Sequence, residues 1–221
     1  MDLFKYQDLK YKEFNDKIIN QNVYPTIGIR IPELRKIAKE VAKNDYKEYI
    51  QTEHKYYEEY MIHGLVIGYA KIDFDSKIKM LDNYVPYLND WSLTDIVASN
   101  LKDFKNNQEV GFEYILKLIS GSTFTIRFGI VLLLNYYLND EYIDEVINII
   151  MNISNNDYYV MMAKAWILSY VYIKYPSKGI KILKSNKLPI DVHNKTISKI
   201  CDSYKVNIKD KEIVKKMRRK V

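Results

Sequence analysis

The sequence predicts an all-α protein. Apolar residues recur at helical spacing through most of the 221 residues, and no segment shows the strict alternation expected of a half-buried strand. Only 7 glycines and 5 prolines are present, which leaves little material for the hairpin turns of a β protein. A chain of this length can bury a continuous core, as one domain or as two small ones.

The individual helices are predicted from apolar periodicity and from residues that favour helix starts. Residues 34–41 place four apolar side chains at i, i+3, i+4 and i+7, and Pro32 just before them suits a first helical turn. Residues 143–150 repeat the pattern. The same criteria predict helices, with boundaries good to about 2–4 residues, at 2–20, 32–43, 45–51, 56–71, 75–88, 91–104, 108–119, 123–138, 141–153, 157–175, 178–184, 191–204 and 209–219.

Polar breaks group these helices in pairs. Breaks near residues 89, 121, 156 and 190 are separated by 32, 35 and 34 residues, and each interval holds two predicted helices. A helix–turn–helix unit recurring at that period is typical of an α-solenoid, in which each pair covers its neighbour's apolar face. The tetratricopeptide repeat has a similar period, but its small-residue and aromatic signature is absent, so the HEAT type fits better. We therefore predict a single domain over residues 1–221, an α-solenoid of stacked antiparallel helix pairs (HEAT-like repeats), curved with a concave cleft.

The charge is distributed unevenly along the chain. The net charge is +6, but residues 174–221 hold 15 Lys and Arg against 4 Asp and Glu, whereas residues 1–173 hold 19 against 24. A basic C-terminal segment could follow a phosphate backbone. The alternative is that the tail at 215–220 is only a solvated helix end. Charge alone therefore allows nucleic acid as a partner without requiring it.

Several classes of site are excluded by the residues present. A single cysteine, Cys201, excludes a disulfide framework and a cysteine-rich metal site. No secretory signal and no run of about 18 apolar residues is found, so we expect a soluble cytoplasmic protein that does not associate with membranes. The histidines, His54, His63 and His193, share no metal-ligand spacing, and His63 is interpreted as a packed helix residue. No glycine-rich phosphate loop or nucleophilic triad is supported.

The acidic pair Glu58-Glu59 does not form an acid–base pair, because adjacent helix positions point in different directions. We interpret one of them as a solvated surface charge and the other as a partner of the helix start. Neither is assigned to a catalytic site.

Four residues make up the strongest candidate site. Trp91 and Asp95 stand four residues apart and share one face of a helix, so a carboxylate lies beside an aromatic ring and can serve a cation. Arg127 and Trp166, in later helices, look like companions of this pair. Taken alone, each residue also has a structural interpretation: a first-turn acid favoured by the helix dipole, a packed indole, or a partner of a buried acid or of helix ends.

The order and spacing of these four residues resembles the AlkD-like family of bacterial alkylpurine-DNA glycosylases. The segment from Gly28 to Arg35 is similar to the family's early Gly-x-x-x-Pro-x-x-Arg segment. The pair Tyr158-Tyr159 is similar to the aromatic pair that precedes the family's second tryptophan. The likeness covers most of the chain, and the four residues together are far more specific than any one of them.

The resemblance implies a monofunctional enzyme that hydrolyses the N-glycosidic bond of positively charged N3- or N7-alkylated purines in double-stranded DNA. It implies no base flipping, no metal and no cofactor, and we expect a monomer. Asp95 would stabilise the cationic sugar and orient water. Trp91 and Trp166 would flank the deoxyribose, while Arg127 would hold a nearby phosphate or orient Asp95. Contacts to DNA are assigned to Arg30, Arg35, Tyr158, Tyr159 and Lys164.

A second hypothesis is a non-catalytic helical-repeat module of the same family, which binds nucleic acid or protein through its concave face. Clustering of the four residues in an open cleft with basic rims would favour the enzyme. Their dispersal into the core, or an acidic cleft, would favour the module. Residues 80–173 hold 5 Lys and Arg against 11 Asp and Glu, so the choice depends on which helix faces carry these charges.

Overall fold

The computed structural model of the protein describes residues 1–19, 23–44 and 46–220. Within these ranges every regular element is a helix, and no strand is present, which confirms the predicted all-α class. Three short 3₁₀ helices cover Phe4–Tyr6, Val85–Tyr87 and Lys102–Lys105. The α-helices of the described residues are α1 Leu9–Asn15, α2 Ile31–Lys43, α3 Tyr46–Gln51, α4 Tyr57–Tyr69, α5 Phe74–Tyr84, α6 Trp91–Ala98, α7 Gln108–Leu118, α8 Thr123–Tyr136, α9 Ile143–Asn152, α10 Tyr158–Lys174, α11 Pro176–Lys184, α12 Ile190–Asp202 and α13 Ile208–Lys215.

The chain divides into two compact units, which we call the first unit (Met1–Tyr114) and the second unit (Ile115–Val221). The division falls within α7. The first unit holds 16 Lys and Arg against 19 Asp and Glu, and the second holds 18 against 9. The basic excess therefore belongs to the second unit. The single HEAT-like domain over residues 1–221 stays a prediction.

The first unit is built around α4. This helix packs against α2 and α6, and α3 and α5 also contact it. Gly64 is required in α4, because a Cβ there would stand 2.4 Å from a methyl carbon of Val97 and 2.6 Å from the hydroxyl of Tyr84. The interpretation of His63 as a packed residue is confirmed: it is buried, with its Nδ1 3.1 Å from Nε2 of His54.

A buried carboxylate at the start of α4 anchors the segment that leads into α2. Glu58 is 1% exposed, and its carboxylate accepts hydrogen bonds from the backbone N–H groups of Ile27 at 2.8 Å, Gly28 at 2.6 Å and Ile29 at 3.3 Å. Gly28 has a φ of +94°, and a Cβ at this position would stand 2.5 Å from the Cβ of Lys12. Glycine is therefore needed on both counts.

The sequence interpretation of the pair Glu58-Glu59 is half right. Glu59 is the expected partner of the helix start, since its carboxylate accepts from the backbone N–H of Tyr56 at 2.8 Å in a capping box. The prediction of a solvated surface charge is wrong for Glu58, because three backbone N–H groups of residues 27–29 donate to its carboxylate. Such enclosure involves residues about 30 positions earlier, which local spacing does not reveal.

Two predicted helices are shorter in the structure, each for a local reason. The predicted helix 75–88 ends at Tyr84 and gives way to a 3₁₀ turn containing Pro86, which has no N–H for the helical ladder. The predicted helix 91–104 ends at Ala98, and Asn100 turns its side-chain amide to the carbonyl of Leu65 on α4 at 3.0 Å.

The predicted N-terminal helix 2–20 is also divided. A 3₁₀ turn precedes α1, which begins after Asp8, whose carboxylate accepts from the backbone N–H of Tyr11 at 3.0 Å. Residue 20 of this prediction, and residue 45 of the predicted helix 45–51, lie outside the described residues.

The second unit is built around α10. This helix packs against α8 and α12, and α9 and α11 also contact it, while α13 packs on α12. The basic tail is partly docked rather than only solvated: the side-chain oxygen of Asn194 accepts from the backbone N–H of Arg219 at 3.0 Å, and the Arg219 guanidinium donates to the carbonyl of Leu188. None of the helices in the described ranges combines the length and hydropathy needed to cross a membrane.

We expect Glu58→Gln to lower the unfolding midpoint of the protein. An amide NH₂ group would face backbone donors that now meet a charged oxygen, which costs about 3 kcal/mol for a buried group. The measurement is urea unfolding followed by circular dichroism. Glu113→Gln, which removes the same charge from an exposed position in the first unit, should change stability by about 0.5 kcal/mol or less. Equal midpoints for the two variants would contradict an anchoring role for Glu58.

Candidate active site

Helix α6 begins at Trp91, and the residue that caps it is Asp90. Asp90 is fully buried, and its carboxylate accepts from the backbone N–H of Ser92 at 2.7 Å. Asp95 lies one turn further along α6, and no acidic residue occupies the first turn. The interpretation of Asp95 as a first-turn acid is therefore wrong, because Asp90 already fills that role at the cap.

Trp91 and Asp95 occupy the accessible side of α6. Most of the other side chains of α6 are buried in the first unit, whereas Trp91, Asp95 and the neighbouring Ile96 are half-buried, and the first two lie one helical turn apart. The buried residues of α6 are Ser92, Leu93, Thr94, Val97 and Ala98. The predicted juxtaposition of an indole and a carboxylate on one helix face is thus present, at a position that solvent reaches.

Hydrogen bonds orient both side chains. The indole Nε1 of Trp91 donates to the backbone carbonyl of Ile18 at 2.9 Å, which fixes the plane of the ring. The Thr94 hydroxyl lies 2.7 Å from the carbonyl of Trp91 and 3.2 Å from Oδ1 of Asp95. A hydroxyl has a single proton, so the shorter contact to the carbonyl dominates. The carboxylate of Asp95 therefore lies at the edge of a local network that α6 and the N-terminal segment hold in place.

Arg127 links α8 to the start of α10 in the second unit. It is 6% exposed, and its Nη1 donates to the backbone carbonyl of Tyr159 at 2.9 Å. The ring of Tyr159 packs against that of Phe124 with centroids 5.0 Å apart, whereas Tyr158 is 61% exposed. Asp157 caps α10 by accepting from the backbone N–H of Tyr159 at 2.8 Å. Of the two tyrosines, one is packed and one is accessible.

An accessible stripe with three aromatic residues runs along α10. Its members repeat at the spacing of one helix face while most of the remaining side chains of the helix are buried: Tyr159, Met162, Trp166, Tyr170 and Ile173. Trp166 is half-buried and lines an open surface cavity of about 380 Å³. Trp166 is therefore not a fully buried core residue. Tyr170 is not among the residues predicted for the site. Its position four residues after Trp166 indicates that the two share one helix face.

Arg127 is connected to the helix that carries Trp166, through a hydrogen bond to Tyr159 rather than to Trp166 itself. The residue that Arg127 holds, Tyr159, precedes Trp166 by seven residues, so the two lie on the same face of α10, about 10 Å apart along its axis. The structure thus presents two pairs, Trp91 with Asp95 in the first unit and Arg127 with Trp166 in the second. Among residues 1–19, 23–44 and 46–220, no three His, Cys, Asp or Glu side chains come together as metal ligands would.

The arginines predicted to contact DNA lie in the first unit. Arg30 is exposed at the cap of α2, where its Nε donates to Asp8 at 2.9 Å. An exposed ion pair of this kind contributes little to stability and can be exchanged for a phosphate contact. Arg35 is half-buried, and its Nη1 donates to Asn100 at 3.2 Å and to the Tyr69 hydroxyl at 3.3 Å. Arg30 is the more accessible of the two.

Lys164 does not lie where a DNA contact requires it. It is 2% exposed, and its Nζ donates to the backbone carbonyl of Ile153 at 2.7 Å. Burial lowers the pKa of Lys164, and the charge of Asp191 opposes that shift. The assignment of Lys164 to the DNA interface needs correction, because its ammonium group is held inside the second unit, where it joins α10 to the segment after α9.

Comparison with known protein families matches residues 2–215 to the family described as DNA alkylation repair enzyme. The searches of curated proteins and of solved structures gave no match. The family match covers nearly the whole chain and agrees with the resemblance that the four site residues indicate. The chain therefore belongs to the AlkD-like family of DNA alkylation repair enzymes.

Proposed function

We propose that this protein hydrolyses the N-glycosidic bond of positively charged N3- or N7-alkylated purines in double-stranded DNA, in the cytoplasm. The observation that carries the proposal is the pair on α6: Asp95 stands beside Trp91 on the accessible helix face, and the cap of that helix is Asp90. Membership of an alkylation repair family supports the substrate class.

The chemistry needs one carboxylate rather than two. An alkylated purine already carries a positive charge, so when the C1′–N bond breaks, its electron pair neutralises the base and no strong general acid is required. The remaining barrier is the cationic, oxocarbenium-like sugar. The carboxylate of Asp95 stabilises that charge and aligns the water that adds at C1′ and then releases a proton. Most glycoside hydrolases use a second carboxyl group to protonate the leaving group.

The aromatic residues and the arginine complete the proposal. Trp91 and Trp166 present electron-rich faces to the cationic deoxyribose, an attraction of about 0.5–2 kcal/mol for each ring. Arg127 is 6% exposed, so in this proposal a backbone phosphate near the lesion must reach its guanidinium group at the start of α10. Its contact to the Tyr159 carbonyl anchors the guanidinium plane, and an anchored group loses less conformational entropy when it binds. Arg30, Arg35, Tyr158 and Tyr159 contribute further DNA contacts.

We also propose that the helix pairs form a HEAT-like solenoid over residues 1–221 and that the protein acts as a monomer. Both units repeat one arrangement, in which the central helix packs between two others that precede and follow it by two places. The cavity beside Trp166 is open, which supports catalysis without base flipping. The reaction is assigned no cofactor and no lysine nucleophile, and so no strand cleavage.

The first prediction from the proposed function concerns Asp95. The wild type should release 7-methylguanine from duplex DNA at low salt, and Asp95→Asn should lower the single-turnover rate by about 10²–10³-fold, since a neutral amide cannot stabilise the cationic sugar. Released base is measured by chromatography. Asp75→Asn removes the same charge from an exposed position on α5 and should leave the rate unchanged.

Three other outcomes would speak against this assignment in different ways. Equal rates for wild type and Asp95→Asn would remove Asp95 from catalysis. DNA binding by the wild type without release of base would indicate the non-catalytic module. Absence of both binding and release would rule out DNA as the substrate.

The second prediction concerns the charge of the leaving base. Hypoxanthine, which is neutral, should be released at least about 10²-fold more slowly than 7-methylguanine in the same sequence, because the proposed site has no general acid to protonate it. Both rates are measured on duplexes that differ only in the lesion. Comparable release of the two bases would show that a general acid operates and that the one-carboxylate mechanism is wrong.

The third prediction tests whether the two pairs serve one substrate. Trp166→Leu should slow release of 7-methylguanine by about 10-fold, and its effect should shrink strongly in the Asp95→Asn background, since groups that act together are not additive. Single-turnover rates of the wild type, both single variants and the double variant are compared. As a control, Trp166→Leu is combined with Asp75→Asn, where the effect of Trp166→Leu should be the same as in the wild type. If the effects of Trp166→Leu and Asp95→Asn on the rate are also additive, the two pairs do not act on one substrate.

A further inference from the structure

The cavity beside Trp166 extends beyond the residues that the proposed reaction uses. It lies along the second half of α10 and the end of α12, and it includes the segment between α12 and α13. Its volume is about 380 Å³, and it opens to solvent. The reaction proposed above involves Trp166 alone, so most of this surface has no assigned role.

Three aromatic residues line the cavity. Trp166 and Tyr170 lie one helical turn apart on α10. Tyr204, in the segment after α12, is fully exposed to solvent. An aromatic ring that is not buried in its own fold is available for contact with a partner. Nucleic-acid strands offer the faces of sugars and bases for such contacts.

Two of these rings each have a lysine ammonium group over them. Nζ of Lys199 is 5.9 Å from the centroid of the Trp166 ring, and Nζ of Lys205 is 5.7 Å from that of Tyr170. The two rings are four residues apart on α10, so each cation is placed over a different turn of the same helix. A nucleic-acid strand carries a phosphate for about every 3.4 Å of its axis, so a strand that follows α10 across these two turns can offer a phosphate to each cation.

The charge around the cavity favours an anionic ligand. Asp202 is the carboxylate among the cavity residues, against the two lysines. The second unit as a whole holds 18 Lys and Arg against 9 Asp and Glu. A phosphodiester strand, with its repeated charges and intervening sugars, matches both the paired cations and the exposed rings.

We propose that this cavity is a phosphodiester subsite that binds one DNA strand beside the lesion. Lys199 and Lys205 bind two phosphates of that strand, and Tyr204 packs against a deoxyribose between or beside them. The inference rests on the proposed function, which it deepens by assigning the path of the strand across the second unit. It concerns binding rather than bond cleavage, so it can be tested on undamaged DNA.

The test measures the dissociation constant of a fluorescently labelled, undamaged duplex by anisotropy over a range of salt concentrations. Lys199→Gln and Lys205→Gln should each lower the slope of log Kd against log salt by about 0.9, the loss of one phosphate contact. Tyr204→Leu should weaken binding by about fivefold without changing the slope, because no charge is removed. Asp202→Asn should tighten binding, since it removes a repulsive charge from the same cavity.

Two controls make the result specific. Lys181→Gln removes a positive charge from an exposed position of α11, outside the cavity, and should change the slope far less than Lys205→Gln. Circular dichroism establishes that each variant is folded. If Lys181→Gln and Lys205→Gln change the slope of log Kd against log salt equally, the subsite is overturned. The slope would then reflect only the overall charge of the second unit.

Excision of 7-methylguanine by the wild type is measured in parallel to separate the two proposals. If the wild type excises 7-methylguanine but all cavity variants bind undamaged DNA as the wild type does, the subsite is overturned and the proposed activity stands. Reduced slopes without any excision would support the subsite and contradict the activity. If the wild type binds no DNA, the subsite is overturned directly.

Discussion

The carboxylate of Glu58 is the interaction on which the first unit depends. By accepting from the backbone of Ile27, Gly28 and Ile29, it fixes the segment that leads into α2. The neighbouring Thr26 hydroxyl donates to Asp16 at 2.5 Å, and Asp16 precedes by two residues Ile18, whose carbonyl accepts from the Trp91 indole N–H. A charge buried at the start of α4 is thus connected, through the N-terminal segment, to the orientation of an aromatic ring in the proposed site.

In the second unit, residues of the proposed site are positioned by one helix, α10. Most of its surface is buried, and its accessible face carries aromatic residues. Helix α10 buries residues on most sides because α8 and α12 flank it and α9 and α11 also contact it. The remaining face carries aromatic side chains from Tyr159 to Tyr170. Arg127 on α8 fixes the beginning of that face, and Lys199 on α12 lies over its middle. Rings and cations that are far apart in sequence therefore share one surface.

The sequence predicted features that depend on local spacing. Periodicity indicated the helical class, and the four-residue separation of Trp91 and Asp95 placed both on one helix face. It did not predict features that depend on contacts between distant segments. The burial of Glu58 requires donors from before α2, and the burial of Lys164 requires the carbonyl of Ile153. The cavity at Tyr204 is formed by α10, the end of α12 and the segment after it, so no local sequence pattern predicts it.

The distribution of tryptophan has a practical consequence. The chain has two tryptophans, Trp91 in the first unit and Trp166 in the second, and both are partly accessible to solvent. All indole fluorescence of this 221-residue chain therefore arises from the two proposed substrate contacts. Each unit carries its own built-in optical reporter, and replacing one tryptophan leaves the emission of the other to report on a single unit without any added label.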